Sequence, residues 1–295
     1  MGRTLELLSE RISERPPPYS VRPPHTRGRP PTDPRGLVRF LLLRALTGWS
    51  FDTTHAMLAA LPELAHRLRF RRVPAASTIA QLVEKVPLSY FEALLRETGA
   101  DRLQGSVAHV AGDATGIGQH RHERWIDLRN FRPGHRHRFV KLHALVVTRA
   151  RWPFFVAATV TPGNVNESPA FPTLFGQLDP SLSLGNVALD KGYQSRAIAQ
   201  AIADRGGRPV IALQDRVTSW ALGHPAWHRM VREARDDRRR YRGRYRRRAV
   251  IEGTFGAFKF RLGETVRSRK PHAQAVEILG RTVVWNLLGL AYSGR

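Results

Sequence analysis

The chain of 295 residues contains no cysteine, and it has few acidic residues for its size. Without cysteine it forms neither a disulfide bond nor a zinc site built on thiolates. Its most apolar stretch, residues 37–46, is interrupted by Arg39 and Arg44, which argues against a membrane span. The N-terminus lacks the apolar segment of a secretory signal, so we expect a cytoplasmic protein.

The shortage of acidic residues leaves the chain strongly basic. Lysine and arginine number 48 against 24 aspartates and glutamates, which gives a formal net charge of +24. Because so large a charge repels itself in a compact protein, it favours a polyanionic partner such as nucleic acid. The alternative is a surface made basic by genome composition alone. Charge by itself does not decide between these two interpretations.

The N-terminal third divides into two parts by composition. Residues 1–36 are rich in proline and arginine, and we predict that they form a flexible, extended arm. Apolar residues at helical spacing follow, so residues 37–102 are predicted to form a helical N-terminal domain. Such a domain serves either DNA binding or dimerisation. No helix-turn-helix pattern in it favours the first role.

Short β-type runs separated by helical patterns occupy residues 103–295. The order is three strands, helix, strand, helix, strand, helix, with the strands near residues 107–111, 139–148, 154–161, 186–190 and 209–213. This order predicts an α/β domain, in which a mixed five-stranded sheet is flanked by helices.

Three acidic residues occupy positions that suit chemistry. Asp113 follows the first predicted strand, and Asp190 follows the fourth. Because ligands bind at the carboxyl ends of strands in α/β sheets, these aspartates stand side by side if the two strands are neighbours. Glu252, on a half-buried helix, can reach the same point. Alone, each has an ordinary role as a turn cap or an ion-pair partner of Arg248.

Taken together, the three carboxylates favour a metal site. Close carboxylates repel one another, and a divalent cation relieves that repulsion. Ligands that are all oxygen favour Mg²⁺ or Mn²⁺ over zinc. Two such ions can activate a water molecule and stabilise the leaving oxygen of a phosphodiester.

Glu252 lies in a segment, residues 245–259, that we predict to be one helix. Tyr245, Arg248, Glu252 and Lys259 fall within about 60° of one face at the helical repeat. An apolar stripe runs beside that face, formed by Ile251, Phe255, Phe258 and Leu262. Arginine dominates the approach, residues 232–248, which predicts a track for the DNA backbone next to the carboxylates.

These motifs resemble those of DDE transposases. Asp113 stands in Gly-Asp-Ala-Thr-Gly, Asp190 in Leu-Asp-Lys-Gly-Tyr-Gln-Ser, and Glu252 in Ile-Glu-Gly-Thr-Phe-Gly. The separations are 190 − 113 = 77 and 252 − 190 = 62. The pattern Y-x2-R-x3-E-x6-K is similar to the signature of the IS four / IS five group of insertion sequences. It is complete at Tyr245, Arg248, Glu252 and Lys259.

The resemblance implies a ribonuclease H-like catalytic domain over residues 103–295. It implies that Asp113, Asp190 and Glu252 are catalytic and hold two Mg²⁺ (or Mn²⁺) ions. The implied reaction is DNA cleavage at insertion-sequence ends, followed by strand transfer into target DNA. Implied partners are double-stranded DNA, both terminal inverted repeats and target site, and a second copy of the chain, since two ends must be handled together.

Further residues are expected to contact DNA, and the protein is expected to associate with the nucleoid. The expected contacts are Tyr245, Arg248, Lys259, Arg244, Arg247 and Trp125. Packing is the alternative for Tyr245 and Trp125. Trp125 lies in a loop whose histidines, His120, His122, His135 and His137, favour a basic DNA-facing surface over a metal site. The alternative functions are a domesticated DNA-binding protein and a non-mobile ribonuclease H-like nuclease.

Overall fold

The computed structural model describes residues 2–21, 31–103, 105–119 and 139–293. Ahead of the sheet these ranges contain helices α1 (Gly2–Glu14), α2 (Pro34–Thr47), α3 (Phe51–Ala60), α4 (Pro62–Arg67), α5 (Ala76–Leu82) and α6 (Leu88–Leu103). Within the described residues, no helix combines the length and the apolar character that crossing a membrane requires.

The beginning of the chain is helical, and the extended arm predicted for residues 1–36 is wrong for residues 2–14. These residues form α1, in which Leu5, Leu8 and Ile12 are buried. Their spacing of three and four places them on one helical face. The prolines that suggested an arm begin only at Pro16, after this helix has ended.

The helices of residues 37–102 follow the predicted apolar spacing, with different ends. The side chain of Asp33 caps α2, because its two oxygens accept the N–H groups of Arg35 and Gly36, each at 3.0 Å. Helices α3 and α4 are separated at Pro62, which begins α4. Proline fits the first turn of a helix but disrupts its interior.

A mixed five-stranded sheet forms the centre, as predicted. Its strands are β1 (Ala108–Gly118), β2 (Phe139–Val147), β3 (Phe154–Pro162), β4 (Leu184–Leu189) and β5 (Arg208–Ile211). The order across the sheet is β3-β2-β1-β4-β5. β1, β2 and β3 pair antiparallel, whereas β4 pairs parallel with both β1 and β5. This architecture is consistent with a ribonuclease H-like DDE domain.

Helices cover both faces of the sheet. One face packs against α7 (Glu167–Gly176), α8 (Arg196–Asp204), α9 (Pro225–Asp236) and α10 (Arg238–Tyr245). The other packs against the N-terminal helices, α11 (Ala249–Leu262) and α12 (Pro271–Ser293). On that second face, Leu8, Phe40 and Phe91 belong to the same apolar cluster as Leu142 of β2 and Phe258 of α11. The N-terminal helices and the sheet therefore share a core.

Buried polar groups fasten this shared core. Glu277 of α12 accepts hydrogen bonds from Arg44 of α2 at 3.0 Å and from Arg281 at 2.6 Å. Asn286 accepts the backbone N–H of Phe155 at 2.9 Å and donates to the carbonyl of Phe155 at 2.8 Å. Because buried polar groups are costly when unpaired, these contacts fix α12 against both α2 and β3.

The predicted helix over residues 245–259 is not continuous. Tyr245 ends α10, residues 246–248 form a 3₁₀ turn, and α11 begins at Ala249. The apolar stripe of α11 is confirmed, since its four members are buried: Ile251, Phe255, Phe258 and Leu262. Gly263, with φ of 95°, ends α11 in a conformation that favours glycine. The chain then returns to the end of β1, where Val266 N–H donates to the Gly118 carbonyl at 2.9 Å.

Candidate active site

Asp113 and Asp190 lie side by side at the carboxyl end of β4. The last pair of the β1–β4 ladder is Gly112 with Leu189, so both aspartates are the next residues along their chains. Asp190 follows its strand, as predicted. Asp113 does not follow its strand: β1 continues to Gly118, because it still pairs with β2 beyond the end of β4. Asp113 is thus the first residue of β1 that extends past the shorter strand.

A tight turn holds the Asp190 side chain. The N–H of Lys191 donates to Oδ1 of Asp190 at 2.7 Å, which starts a 3₁₀ turn over Lys191–Tyr193. Tyr193 is fully buried, and its ring meets Phe171 edge to face at 5.9 Å. A side chain at Gly192 would come within 3.1 Å of Oε2 of Glu167. The turn therefore packs closely against the start of α7.

Arg248 connects two of the three predicted catalytic carboxylates. Its Nη1 donates to Oδ2 of Asp113 at 2.8 Å, and its Nη2 donates to Oε1 of Glu252 at 2.5 Å. The i, i+4 spacing brings Glu252 to the guanidinium. The 3₁₀ turn places that guanidinium against β1. Only 15% of the Arg248 side chain is exposed, whereas 56% of Glu252 is exposed.

The electrostatics of Asp113 and Arg248 reflect this pairing. Burial raises the pKa of the Asp113 carboxyl, although the Ala114 N–H and Arg248 oppose the rise. Burial lowers the pKa of the Arg248 guanidinium, but Asp113, Tyr245, Asp190 and Glu252 together raise it above its ordinary value. Arg248 is thus held as a cation among acidic groups.

The three carboxylates line one open pocket of about 930 Å³ at this edge of the sheet. Lys141 and Glu167 also line it, and Lys141 Nζ donates to Oε1 of Glu167 at 3.3 Å and to the Val165 carbonyl at 2.8 Å. The sequence does not single out Lys141 or Glu167 as site residues, because their contact joins two segments that are distant in the chain. Gln214 and Asp215 also line the pocket. The sequence predictions missed them, although their position shortly after the end of β5 could have indicated that they lie near the site.

The carboxylate side chains of this pocket are of the type that binds divalent metal, but among the described residues their present arrangement does not form a metal site. In the part of the chain that the structure describes, no three histidine, aspartate or glutamate side chains form a group that could hold a metal ion as they stand. Instead, the Arg248 cation lies between Asp113 and Glu252. Carboxylate oxygens are the ligands that Mg²⁺ and Mn²⁺ prefer, and these carboxylates already hold a positive group. The donor set therefore fits such ions in its chemistry.

Two of the predicted DNA contacts, Tyr245 and Lys259, lie near Arg248 and farther along α11, respectively. The Tyr245 ring packs against the apolar cluster on the sheet face that α7 to α10 cover, and the guanidinium carbon of Arg248 lies 5.9 Å from the centre of that ring. Tyr245 therefore packs beside Arg248, and its contact with DNA stays a prediction. Lys259 is about two turns beyond Glu252 on α11. Burial lowers the pKa of Lys259 to about 8, with Glu264 acting in the opposite direction.

The structure does not bring Arg244 or Arg247 into this pocket. Arg244 pairs with Glu233 of α9, and 12% of its side chain is exposed. Arg247 is exposed, and its charge helps to lower the pKa of His109, for which burial is the larger cause. Trp125 and the four loop histidines lie outside the described residues.

Comparison with known families agrees with this geometry. The family model described as transposase DDE domain matches residues 108–287, which is more than half of the chain. The match begins at the first residue of β1 and includes Asp113, Asp190 and Glu252. A search of curated proteins found no match. The sheet, the strand-end carboxylates and this match together establish that the chain belongs to the transposase DDE domain family.

Proposed function

We propose that the protein cleaves DNA at the ends of an insertion sequence and joins those ends to target DNA. Membership of the DDE family supports transposase function in general. The Y-x2-R-x3-E-x6-K pattern supports assignment to the IS four / IS five group. The observation that carries the chemistry is the convergence of Asp113, Asp190 and Glu252 on one pocket.

The proposed reaction has two phosphoryl-transfer steps. In the first, water attacks the phosphorus at the element's end, and the bond to the 3′ oxygen breaks, leaving a free 3′ hydroxyl. In the second, that 3′ oxygen attacks a phosphorus of the target, and a 3′ oxygen of the target leaves. The second step makes one phosphodiester bond for each one it breaks.

Asp113, Asp190 and Glu252 are the residues that would hold two Mg²⁺ or Mn²⁺ ions. Bound ions of this kind supply activation of the attacking water and stabilisation of the leaving oxygen. Arg248 would transfer its hydrogen bonds from carboxylate to phosphate when DNA enters, because a guanidinium suits both geometries. Tyr245 would keep Arg248 oriented, and Lys259 would contact a phosphate farther along the strand.

The wider assembly is part of the proposal. Terminal inverted repeats and the target site are the DNA partners, and a homodimer would hold the two ends together. Arg244 and Arg247 are proposed as additional DNA contacts outside the pocket, and Trp125 is proposed as a further DNA contact. The helices of residues 37–102 would serve DNA binding or dimerisation as part of the same folded unit as the sheet. Association with the nucleoid would follow from DNA binding.

The test is an end-cleavage assay with purified protein. The substrate is a duplex that ends in the inverted repeat flanking the gene, with Mg²⁺, with Mn²⁺ and with a chelator, alongside a duplex of scrambled sequence. We expect a nick at the repeat terminus that leaves a 3′ hydroxyl, and joining to a target plasmid, only when divalent metal is present. Equal cutting of the scrambled duplex would indicate a non-mobile nuclease. Binding without any cleavage would indicate a domesticated DNA-binding protein.

A further inference from the structure

A pocket whose charged lining is mainly arginine lies among the N-terminal helices, apart from the carboxylate pocket. It has a volume of about 740 Å³ and lies where the end of α1, the start of α2 and the loop after α4 meet. Among the described residues, its lining has none in common with that of the carboxylate pocket. Its charged lining consists of one carboxylate and five guanidiniums: Asp33, Arg35, Arg39, Arg69, Arg71 and Arg72.

Arg39 is the buried floor of this pocket. Only 5% of its side chain is exposed. Its Nη2 donates to the hydroxyl oxygen of Ser13 at 2.8 Å, and Arg69 Nη1 donates to the same oxygen at 3.0 Å. The Nε of Arg39 is buried and has no hydrogen-bond partner among the described residues. Two guanidiniums thus share one neutral oxygen, and a buried N–H is left over.

Among the described residues that line the pocket, the guanidiniums outnumber the carboxylates that could neutralise them. Burial lowers the pKa of Arg39; Asp33 opposes that effect, and Arg69 and Arg35 add to it by repulsion. Asp33 lies 3.6 Å from Nη1 of Arg39, but its oxygens already accept the two N–H groups at the start of α2. One shared carboxylate cannot satisfy five cations. An anion with several acceptor oxygens would relieve this repulsion.

The rim of the pocket is formed by a loop with an unusual backbone. Arg69 has φ of 54°, in the left-handed region that costs energy for a residue other than glycine. Backbone hydrogen bonds fix this conformation, with Arg69 N–H donating to His66 at 2.8 Å and Phe70 N–H donating to Ala65 at 2.9 Å. Arg71 and Arg72 follow directly and are exposed. The loop therefore presents a row of guanidiniums above the buried Arg39.

We propose that this pocket binds backbone phosphates of double-stranded DNA, with Arg39 deepest and the exposed Arg69, Arg71 and Arg72 at the rim. The planar guanidinium matches phosphate oxygens in pairs, which explains a site built from arginine. Because the arginines extend from a buried floor to an exposed rim, they suit neighbouring phosphates of a strand better than one small anion. The identity of the ligand as DNA rests on the proposed function.

The test is the salt dependence of DNA binding, measured by fluorescence anisotropy with a chelator present. The pocket variant is the double substitution Arg71→Ser with Arg72→Ser. The charge-matched control is Arg149→Ser with Arg151→Ser, two exposed residues between β2 and β3. We expect the pocket variant to reduce the slope of log affinity against log salt by about one to two, and affinity by roughly tenfold. The control should change affinity less than about twofold.

Equal losses in the two double variants would overturn the proposal, because they would reflect net charge alone. No loss in the pocket variant would also overturn it. A parallel melting experiment adds inorganic phosphate; if phosphate stabilises the wild type while the pocket variant binds DNA normally, the site takes a small anion and not DNA. DNA binding measured with a chelator present does not depend on cleavage. A pocket-specific effect in a protein that never cleaves would therefore refute the proposed reaction and leave this site standing.

Discussion

Nη1 of Arg248 donates a hydrogen bond of 2.8 Å to Oδ2 of Asp113, which joins the 3₁₀ turn before α11 to the middle of β1. The same guanidinium also reaches Glu252. One protein cation therefore occupies the space between two carboxylates that the proposed reaction requires for divalent metal. This arrangement has a measurable consequence, because removal of the guanidinium should make the carboxylates more available to metal ions.

We expect Arg248→Gln to bind Mn²⁺ more tightly than the wild type in the absence of DNA, by roughly tenfold or about 1.4 kcal/mol. Without metal, the variant should be less stable, because Asp113 loses its charged partner in a mostly buried position. Titration calorimetry measures the affinity, and thermal unfolding with and without Mn²⁺ measures the stability. The exposed neighbour Arg246→Gln is the control. Unchanged or weaker Mn²⁺ binding by Arg248→Gln would show that the guanidinium does not compete with metal.

Lys259 predicts a pH dependence of DNA binding. Its pKa in the free protein is about 8, and a nearby phosphate would raise that value. Protonation is therefore linked to binding, and affinity should fall as pH rises through about 8. Lys259→Arg keeps its charge across this range and should lose the step. Anisotropy titrations from neutral to alkaline pH measure it; an identical pH profile for Lys259→Arg would refute the contact.

Gly112 predicts how closely β1 and β4 must approach at the site. A Cβ at this position would collide with the side chain of Leu189 and would lie 2.9 Å from Cδ2 of Leu145, both fully buried. We expect Gly112→Ala to cost roughly 1–3 kcal/mol and to reduce cleavage, because Asp113 and Asp190 follow this pair. Gly256→Ala is the control: nothing lies near its Cβ in α11, so it should gain up to about 1 kcal/mol.

Chemical denaturation and end cleavage compare these two glycine variants. Equal stability of Gly112→Ala and the wild type would mean that the sheet opens at this point without cost. Loss of cleavage in Gly256→Ala would show that activity responds to any change of glycine. Either result would remove the link between strand spacing and the position of the carboxylates.

Much of the site follows from sequence, because its determinants are local. Asp190 directly follows a buried apolar strand, and the stripe from Ile251 to Leu262 fixes which side of α11 is buried. The sheet order then brings Asp190 beside Asp113. Glu252 also pairs with Arg248 through ordinary helical spacing.

Other features depend on contacts between distant segments. The small residues from Gly112 to Gly118 show no clear alternation, and they form a strand because β2 lies alongside them. The 3₁₀ turn before Ala249 changes the direction in which Arg248 points, so its bond to Asp113 was not predictable from helical spacing. The basic pocket joins three separate segments of the N-terminal region, and no single motif reveals it.

The central claim is that Asp113, Asp190 and Glu252 act together in metal-dependent cleavage. The most direct measurement is the rate of end cleavage for Asp113→Asn, Asp190→Asn and Glu252→Gln, with Asp236→Asn on α9 as an exposed acidic control. Each of the three should lower the rate by at least roughly a hundredfold while DNA binding is retained, and the control should cleave normally. Cleavage that survives in any one of the three variants would contradict the account.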